Sequence, residues 1–309
     1  WRFFTEHFCQ AHQTRFGLDV TGASNLGELQ EKLRSTCMVR RVKSQVLPEL
    51  PAKTHAMLPM ALPRDAQKQY DRVEADVVGW MAQRAANDAE FLASIADLDP
   101  AAQEQARAER GRDAAYRAAQ AETLVKMEQL KQVAAAGKLD AVKQWAADFL
   151  ESGEKLVVFA WHTAVVDEFA REFGAPSITG QTPLVARQAA VDRFQTDPEC
   201  KVIVCNIQAG GVGITLTASS NVLFVEYPWN PGLLDQAADR THRIGQHYPV
   251  TIWQSVAAGT VEEDILETIG QKRSVIVQAT DAQGDGAGAG SVMNEVVRRL
   301  LERRQQKGV

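Results

Sequence analysis

The second half of the chain alternates between short β-branched runs and stretches with an apolar residue every three or four positions. Lys155-Leu-Val-Val-Phe-Ala160, Lys201-Val-Ile-Val-Cys-Asn206 and Asn221-Val-Leu-Phe-Val-Glu226 are of the first kind. Bounded by glycine, proline and polar turns, such runs predict strands. Shorter strands are predicted at 176–179 and 250–256. Helices are predicted between them at 164–173, 183–194, 231–243 and 260–277. The alternation predicts an α/β fold with a largely parallel sheet covered by helices on both faces. Asn230 and Pro231 suit the N-cap and first position of the 231–243 helix. Thr260-Val-Glu-Glu263 reads as a capping box that starts the last long helix.

The first half is patterned differently. Residues 1–35 read as helical and mixed, with an aromatic cluster of Trp1, Phe3, Phe4 and Phe8 that suits packing on something upstream. Ser24-Asn25 is placed to cap a helix. Met38-Val-Arg-Arg-Val-Lys43 reads as a basic, solvated helix end, and Pro48 and Pro51 make a stiff connector. Lys53 to Leu62 alternates weakly and suits a strand. Residues 64–136, rich in Ala, Gln, Glu and Arg, predict a helical insertion. The plainest form is a coiled-coil-like hairpin without chemistry, interrupted at Gly111 and Gly137. A separate amphipathic helix is then expected from 138, carrying Leu139, Val142, Trp145 and Phe149. The tail is a Gly/Ala/Asp linker at 281–290 followed by a short amphipathic helix, Val292 to Arg304. The expected organisation is 1–52, end of a preceding lobe and connector; 53–137, start of a lobe with a helical protrusion; 138–280, the main α/β lobe; and 281–309, linker and brace helix.

Composition narrows the function classes. Of 309 residues, 45% are apolar and 24% charged, the balance of an ordinary globular protein. No apolar run reaches membrane-spanning length and no signal peptide is visible. The net charge of −5 argues against a general nucleic-acid coat while leaving a local basic groove open. The four cysteines, Cys9, Cys37, Cys200 and Cys205, lack metal-ligand spacing, so no metal site is expected. The chain opens on Trp1 with no start signal and is read as a fragment of a longer protein.

Candidate chemistry gathers between Lys201 and Gln246. On a helix over 231–243, Gln236, Arg240 and Arg243 would share one face, suited to a phosphate or phosphoryl transition state. Asp235 and Asp239 allow a salt-bridged surface face instead, and spacing alone does not separate the two. The loop Ala209-Gly-Gly-Val-Gly213 lacks bulk and can approach a phosphate or ribose, or it can be a tight strand–helix connection. No Gly-x-x-x-x-Gly-Lys-[Ser/Thr] loop occurs, so the principal nucleotide cradle is not in this sequence. Trp161 and Trp229 each follow a predicted strand and suit base stacking or interior packing. His162 reads as a hydrogen-bonded loop residue.

Together these pieces resemble the second RecA-like lobe of the Swi/Snf-type branch of superfamily-two helicases. Lys155-Leu-Val-Val-Phe-Ala-Trp-His162 is similar to motif IV, with Trp161-His162 where many members carry Ser-Gln. Ile178-Thr-Gly180, Arg187 and Phe194 resemble the DNA-facing motif that follows. Val202 to Thr217 resembles motif V, Tyr227-Pro-Trp-Asn-Pro231 motif Va, and Gln236-Ala-Ala-Asp-Arg-Thr-His-Arg-Ile-Gly-Gln246 motif VI. Residues 16–62 resemble the annealing-helicase subgroup and its bacterial relatives, with the connector between lobes at Met38 to Pro51.

The resemblance implies that Arg240 and Arg243 are arginine fingers. It implies that Gln236, Asp239, Gly211 and Gly213 face the nucleotide. Trp161, His162, Thr179, Gly180, Arg187, Gln208 and Trp229 would face DNA. The cofactor would be ATP with Mg, held mainly by a first lobe, with none bound tightly by this chain alone. The partners would be double-stranded or branched DNA and the amino-terminal RecA-like lobe of the same polypeptide. A monomer in the nucleoid or nucleus, not secreted, is expected. The implied activity is ATP-dependent translocation along duplex DNA, with this chain alone inactive. The competing readings are a strand-separating helicase, a non-catalytic RecA-like scaffold for a protein partner, and a nucleotidyl or glycosyl transferase.

Overall fold

The computed structural model describes residues 1–14, 17–20, 22–39, 46–112, 114–210, 213–281 and 292–307. Gly211, most of the basic cluster (Arg40, Arg41, Lys43) and nearly all of the 281–290 linker lie outside the described residues. The chain divides into two compact units, residues 1–38, 68–133 and 267–309 in one and 39–67 and 134–266 in the other.

The first unit opens with α1 (Arg2–Phe8), an antiparallel pair of β1 (His12–Thr14) and β2 (Gly17–Asp19), and α2 (Leu26–Thr36). Ser24 and Asn25 do not cap α2. Asn25 takes a left-handed conformation, and Ser24 Oγ and Asn25 Nδ2 both donate to the His7 carbonyl, at 2.6 and 2.8 Å. Their polar atoms satisfy the end of α1 instead, because that carbonyl is otherwise left over. Phe8 is buried, whereas Trp1 is 90% exposed.

The second unit contains β3 (Lys53–Met60), the expected strand. Among the described residues the insertion is helical over α3 (Arg64–Ser94), α4 (Pro100–Arg112) and α5 (Ala114–Leu150), and Asp113 lies outside them. Gly111 lies within α4, and the expected break at Gly137 is absent, α5 passing through it into the predicted 138–149 helix. Gly137 serves packing: a Cβ there would lie 3.0 Å from Leu62 Cδ2 and 3.2 Å from Ala66 Cβ. Leu62 and the start of α3 therefore lie so close to α5 that a larger residue would make them shift, which offsets glycine's poor helix propensity.

The remaining elements follow the predicted alternation. They are β4 (Leu156–Ala160), α6 (Thr163–Glu172), β5 (Ser177–Ile178), α7 (Leu184–Thr196), β6 (Val202–Asn206), α8 (Ile207–Gly210), β7 (Asn221–Phe224), α9 (Pro231–Ala238), β8 (Val250–Ala257) and α10 (Val261–Asp281). The chain's last described helix is α11 (Val292–Lys307). Six strands make one parallel sheet in the order β3-β8-β7-β4-β6-β5. β4 and β7 are buried along their whole length, as central parallel strands covered on both faces must be. Pro59 is tolerated because β3 lies at the sheet edge. Leu139, Val142 and Ala146 of α5 and Val165, Val166 and Phe169 of α6 pack with the strands into one core.

α10 starts after Thr260 as predicted, but the reciprocal capping box does not form: the acid that reaches back is Glu262, not Glu263, and it reaches Ala257 in place of Thr260. Thr260 Oγ1 accepts from the Glu262 N–H at 3.3 Å, and Glu262 Oε2 accepts from the Ala257 N–H at 2.8 Å. On α11, Val292, Val296 and Leu300 are buried, while Arg299 pairs with Glu267 of α10 at 2.5 Å.

Candidate functional site

Asn230 caps α9 as expected, its side chain accepting from Gly232 N at 2.9 Å with Pro231 at the first helical turn. The helix then ends at Ala238, five residues before the predicted end at Arg243. Asp239 N still reaches Asp235 O, but Arg240 N turns to Ala237 O and Arg243 N to Thr241 O, which tightens the chain into turns. The shared helical face expected for Gln236, Arg240 and Arg243 therefore does not exist.

The turns converge those residues by another route. Arg240 O accepts from Leu216 N at 2.9 Å. Arg243 Nη1 donates to Ile214 O at 3.1 Å and Thr215 Oγ1 at 3.3 Å. Gln246, 5% exposed, donates to the carbonyls of Thr217, Ser219 and Thr241 and accepts from His247 N and Tyr248 N. Residues 240–248 are thus stitched onto 214–219. His242 bonds the Pro51 carbonyl at 2.7 Å, and Lys53 pairs with Asp239 at 3.2 Å, so the connector anchors the same turn.

The result is a shallow depression of about 350 Å³ lined by Leu47, Gln236, Asp239, Arg240, His242, Arg243 and Ile244. Burial pushes the Arg240 guanidinium below its usual range, the neighbouring Arg243 charge adds to this, and Asp239 opposes it. Two guanidinium groups and an exposed amide form a donor set suited to an anion. Gly213 has φ +70°, a conformation that favours glycine, with open space where a Cβ would be.

A second group of predicted residues meets at the carboxyl ends of three adjacent strands, β7, β4 and β6. Glu226, 2% exposed just past β7, organises it. Its carboxylate accepts from Trp161 N at 2.9 Å and His162 N at 2.8 Å, and contacts His162 Nδ1 at 2.5 Å. From β6, Asn206 donates to Trp161 O at 2.6 Å and accepts from Gln208 N and Ala209 N. Trp161, His162 and Gln208 are therefore held together, with Trp229 on the loop that continues from Glu226 and Gln208 exposed. Asn206→Ala would orphan three backbone groups. The expected loss is about 1–2 kcal/mol in urea unfolding. An unchanged midpoint would show that water takes over these bonds.

Thr179, Gly180 and Arg187 lie together, apart from that node. Arg187 Nη2 donates to the carbonyls of Thr179 and Thr182 at 3.2 and 3.3 Å, and Thr179 N donates to Thr182 Oγ1 at 2.9 Å. Arg187 closes the turn that presents the exposed Gly180 at the start of α7.

Sequence reasoning missed the deepest polar group. Lys138, 0% exposed, donates to Ser255 O and to Glu262 Oε2, both at 2.6 Å. Tyr227 Oη donates to the same Ser255 carbonyl at 2.7 Å, and the Lys138 ammonium lies 5.4 Å from the Tyr227 ring centre. Burial pushes Lys138 down and Glu262 up, and the charge of each opposes this in the other. A signal was present: Lys138 interrupts the buried stripe of Ala134, Val142 and Ala146 on α5. Among the described residues, no cluster of His, Cys, Asp or Glu could hold a metal ion, and no helix is long and apolar enough to cross a membrane.

Comparison with known proteins accounts for this arrangement. Residues 137–245 match the helicase conserved C-terminal domain. The chain is 34% identical over 282 residues to the SWI/SNF-related matrix-associated actin-dependent regulator of chromatin subfamily A-like protein 1 of Xenopus tropicalis, covering 89% of this chain and 26% of that protein. It is 32% identical over 288 residues to the DNA annealing helicase and endonuclease ZRANB3 of Mus musculus, covering 89% and 24%. The chain thus spans about a quarter of the length of these relatives. Among solved structures, the C-terminal part of the Fun30 ATPase domain superposes with a TM-score of 0.54 at 18% identity, covering 83% of this chain and 99% of that one. The Sulfolobus solfataricus SWI2/SNF2 ATPase core in complex with dsDNA superposes with a TM-score of 0.50 at 21% identity, covering 83% and 53%. A RecA-like parallel sheet, a matching helicase domain and these relatives make the chain a C-terminal helicase lobe of the SWI/SNF-type superfamily-two ATPases, close to the annealing helicases.

Proposed function

We propose that this chain is the second half of an ATP-dependent motor that translocates along double-stranded DNA. The observation that carries the reading is the convergence of Arg240 and Arg243 on one depression in a sequence without a phosphate-binding loop. Two guanidinium groups and Gln236 fit the phosphate end of a nucleotide but supply no cradle for the rest of it. The first lobe of the same polypeptide supplies that cradle and the Mg site. Bound there, ATP provides the phosphoanhydride bond whose cleavage drives movement. Arg240 and Arg243 stabilise the charge that develops on the transferring phosphoryl group. Arg243, fixed to Ile214 and Thr215, ties that charge to the loop that follows β6.

The Glu226 node and the Thr179–Thr182 turn form the DNA side. Trp161, His162, Gln208 and Trp229 at the strand ends, with Thr179, Gly180 and Arg187, contact backbone and sugar, so recognition is largely sequence-neutral. The similar Sulfolobus solfataricus core is in complex with dsDNA, which supports duplex DNA as the track. Residues 138–280 act as the motor lobe, with the flanking helices as protrusion and brace.

The test uses the polypeptide that carries both lobes. Its ATPase should rise with duplex DNA, and the stimulation should weaken steeply with salt, as phosphate contacts require. Turnover indifferent to DNA would sink the DNA reading. Strand displacement at a rate matching ATP turnover would favour a strand-separating helicase.

A further inference from the structure

We infer that Lys138 and Glu262 are positioning residues for the DNA side of the lobe, acting through Glu226 and Tyr227 on the loops that carry Trp161, His162 and Trp229. The inference rests on the DNA reading of those loops. Glu226 and Tyr227 are consecutive, and both face this buried group from the end of β7.

Tyr227 is held at its hydroxyl by the Ser255 carbonyl, which Lys138 also holds. Ser255 in turn donates from Oγ to Phe224 O at 3.0 Å, so β8, the end of β7 and α5 share one knot. Two residues past Tyr227 lies Trp229. Glu226 holds the Trp161 and His162 amides through its carboxylate.

Lys138 pairs directly with Glu262 at 2.6 Å, and the charges of Lys138 and Glu226 also act on each other. Two buried carboxylates thus stand near one buried ammonium. The charge of Glu226 also acts on Glu262, and the Lys138 ammonium offsets that repulsion. Glu262 also accepts from Ala257 N, which fixes the turn between β8 and α10. Lys138 therefore sets the placement of Tyr227 through Ser255 and, through the adjacent Glu226, of the loop that carries Trp161 and His162. It does not line the Arg240–Arg243 depression, which separates its effect from that of the arginines.

The experiment compares wild type with the double variant Lys138→Met/Glu262→Leu in the two-lobe polypeptide. An apolar pair of similar bulk keeps the core filled without leaving a lone buried charge. Two readouts are taken: amide exchange at Trp161 and His162, and the duplex concentration giving half-maximal ATPase stimulation. Faster exchange with a rise in that concentration on the order of tenfold, equivalent to about 1.4 kcal/mol, and little change in turnover at saturating DNA is the expected result. Unchanged exchange, or faster exchange with an unchanged DNA requirement, overturns the inference. If the double variant does not fold, Tyr227→Phe, which removes only the hydroxyl link to Ser255, must raise the DNA requirement in the same direction, and an unchanged requirement overturns the inference. A wild-type ATPase indifferent to DNA would defeat the DNA reading instead. In that case the exchange at Trp161 and His162 would still decide whether the buried pair positions their loop.

Discussion

Arg243→Ala in the two-lobe polypeptide should lower ATP turnover by about 10³-fold, and Arg240→Ala by a similar factor, the lower end of the range for a transition-state arginine. Half-saturation by ATP should change much less, since the proposed function puts the cradle on the other lobe and has the arginines act on charge that appears during transfer. Arg243 also donates to Ile214 O and Thr215 Oγ1, so its loss loosens the turn as well. Arg243→Lys separates the two effects. Lysine keeps a charge near the depression but cannot present a planar fork to two acceptors, so turnover should stay well below wild type. Steady-state ATPase with saturating duplex is the measurement. Turnover within a few-fold of wild type for both alanine variants would remove the arginine-finger role and favour a non-catalytic scaffold.

Lys138→Met alone should destabilise the lobe by about 3–5 kcal/mol, the cost of leaving one member of a buried ion pair without its partner. Glu262 would lose its ammonium partner and keep the Ala257 N–H, Ser255 O would lose one donor, and the repulsion of Glu262 by Glu226 would lose its opposing charge. Adding Glu262→Leu should recover most of the loss, because two apolar side chains need no compensation in the interior. Urea unfolding of the three proteins gives the comparison. A single-variant loss below about 1 kcal/mol would mean that Glu262 takes up a proton readily and that the pair contributes little as ions.

The structure also explains why a helix predicted through Arg243 stops at Ala238. Locally, Asp235 to Arg243 suits a helix. The competing claims come from elsewhere in the fold: Leu216 N takes the Arg240 carbonyl, Lys53 Nζ pairs with the Asp239 side chain, and the His242 ring bonds the Pro51 carbonyl. A run of tertiary hydrogen bonds outweighs the propensity of a few residues to continue one turn further. Gly245, at φ +97°, then gives the chain a conformation that other residues rarely adopt. The two arginines still converge, but through this folded-back turn and not through helical spacing.

Read from sequence alone, the chain already declared the strand and helix order of its second half, its parallel α/β class and the N-cap at Asn230. These depend on side-chain periodicity and turn chemistry, which act over a few residues. The same locality carried the motif pieces from Lys155 to Gln246. What only the tertiary structure decided was the choice of polar partners. Lys138 and Glu262 meet across 124 positions, His162 and Glu226 across 64, and Lys53 and Asp239 across 186. No spacing rule reaches that far. A buried charge must find whichever opposite charge the packed strands and helices bring beside it, so those pairings arise only once the sheet is assembled. Gly137 follows the same logic: its helix-breaking tendency is a local property, while the close approach of Leu62 and Ala66 that makes it fit is a property of the fold.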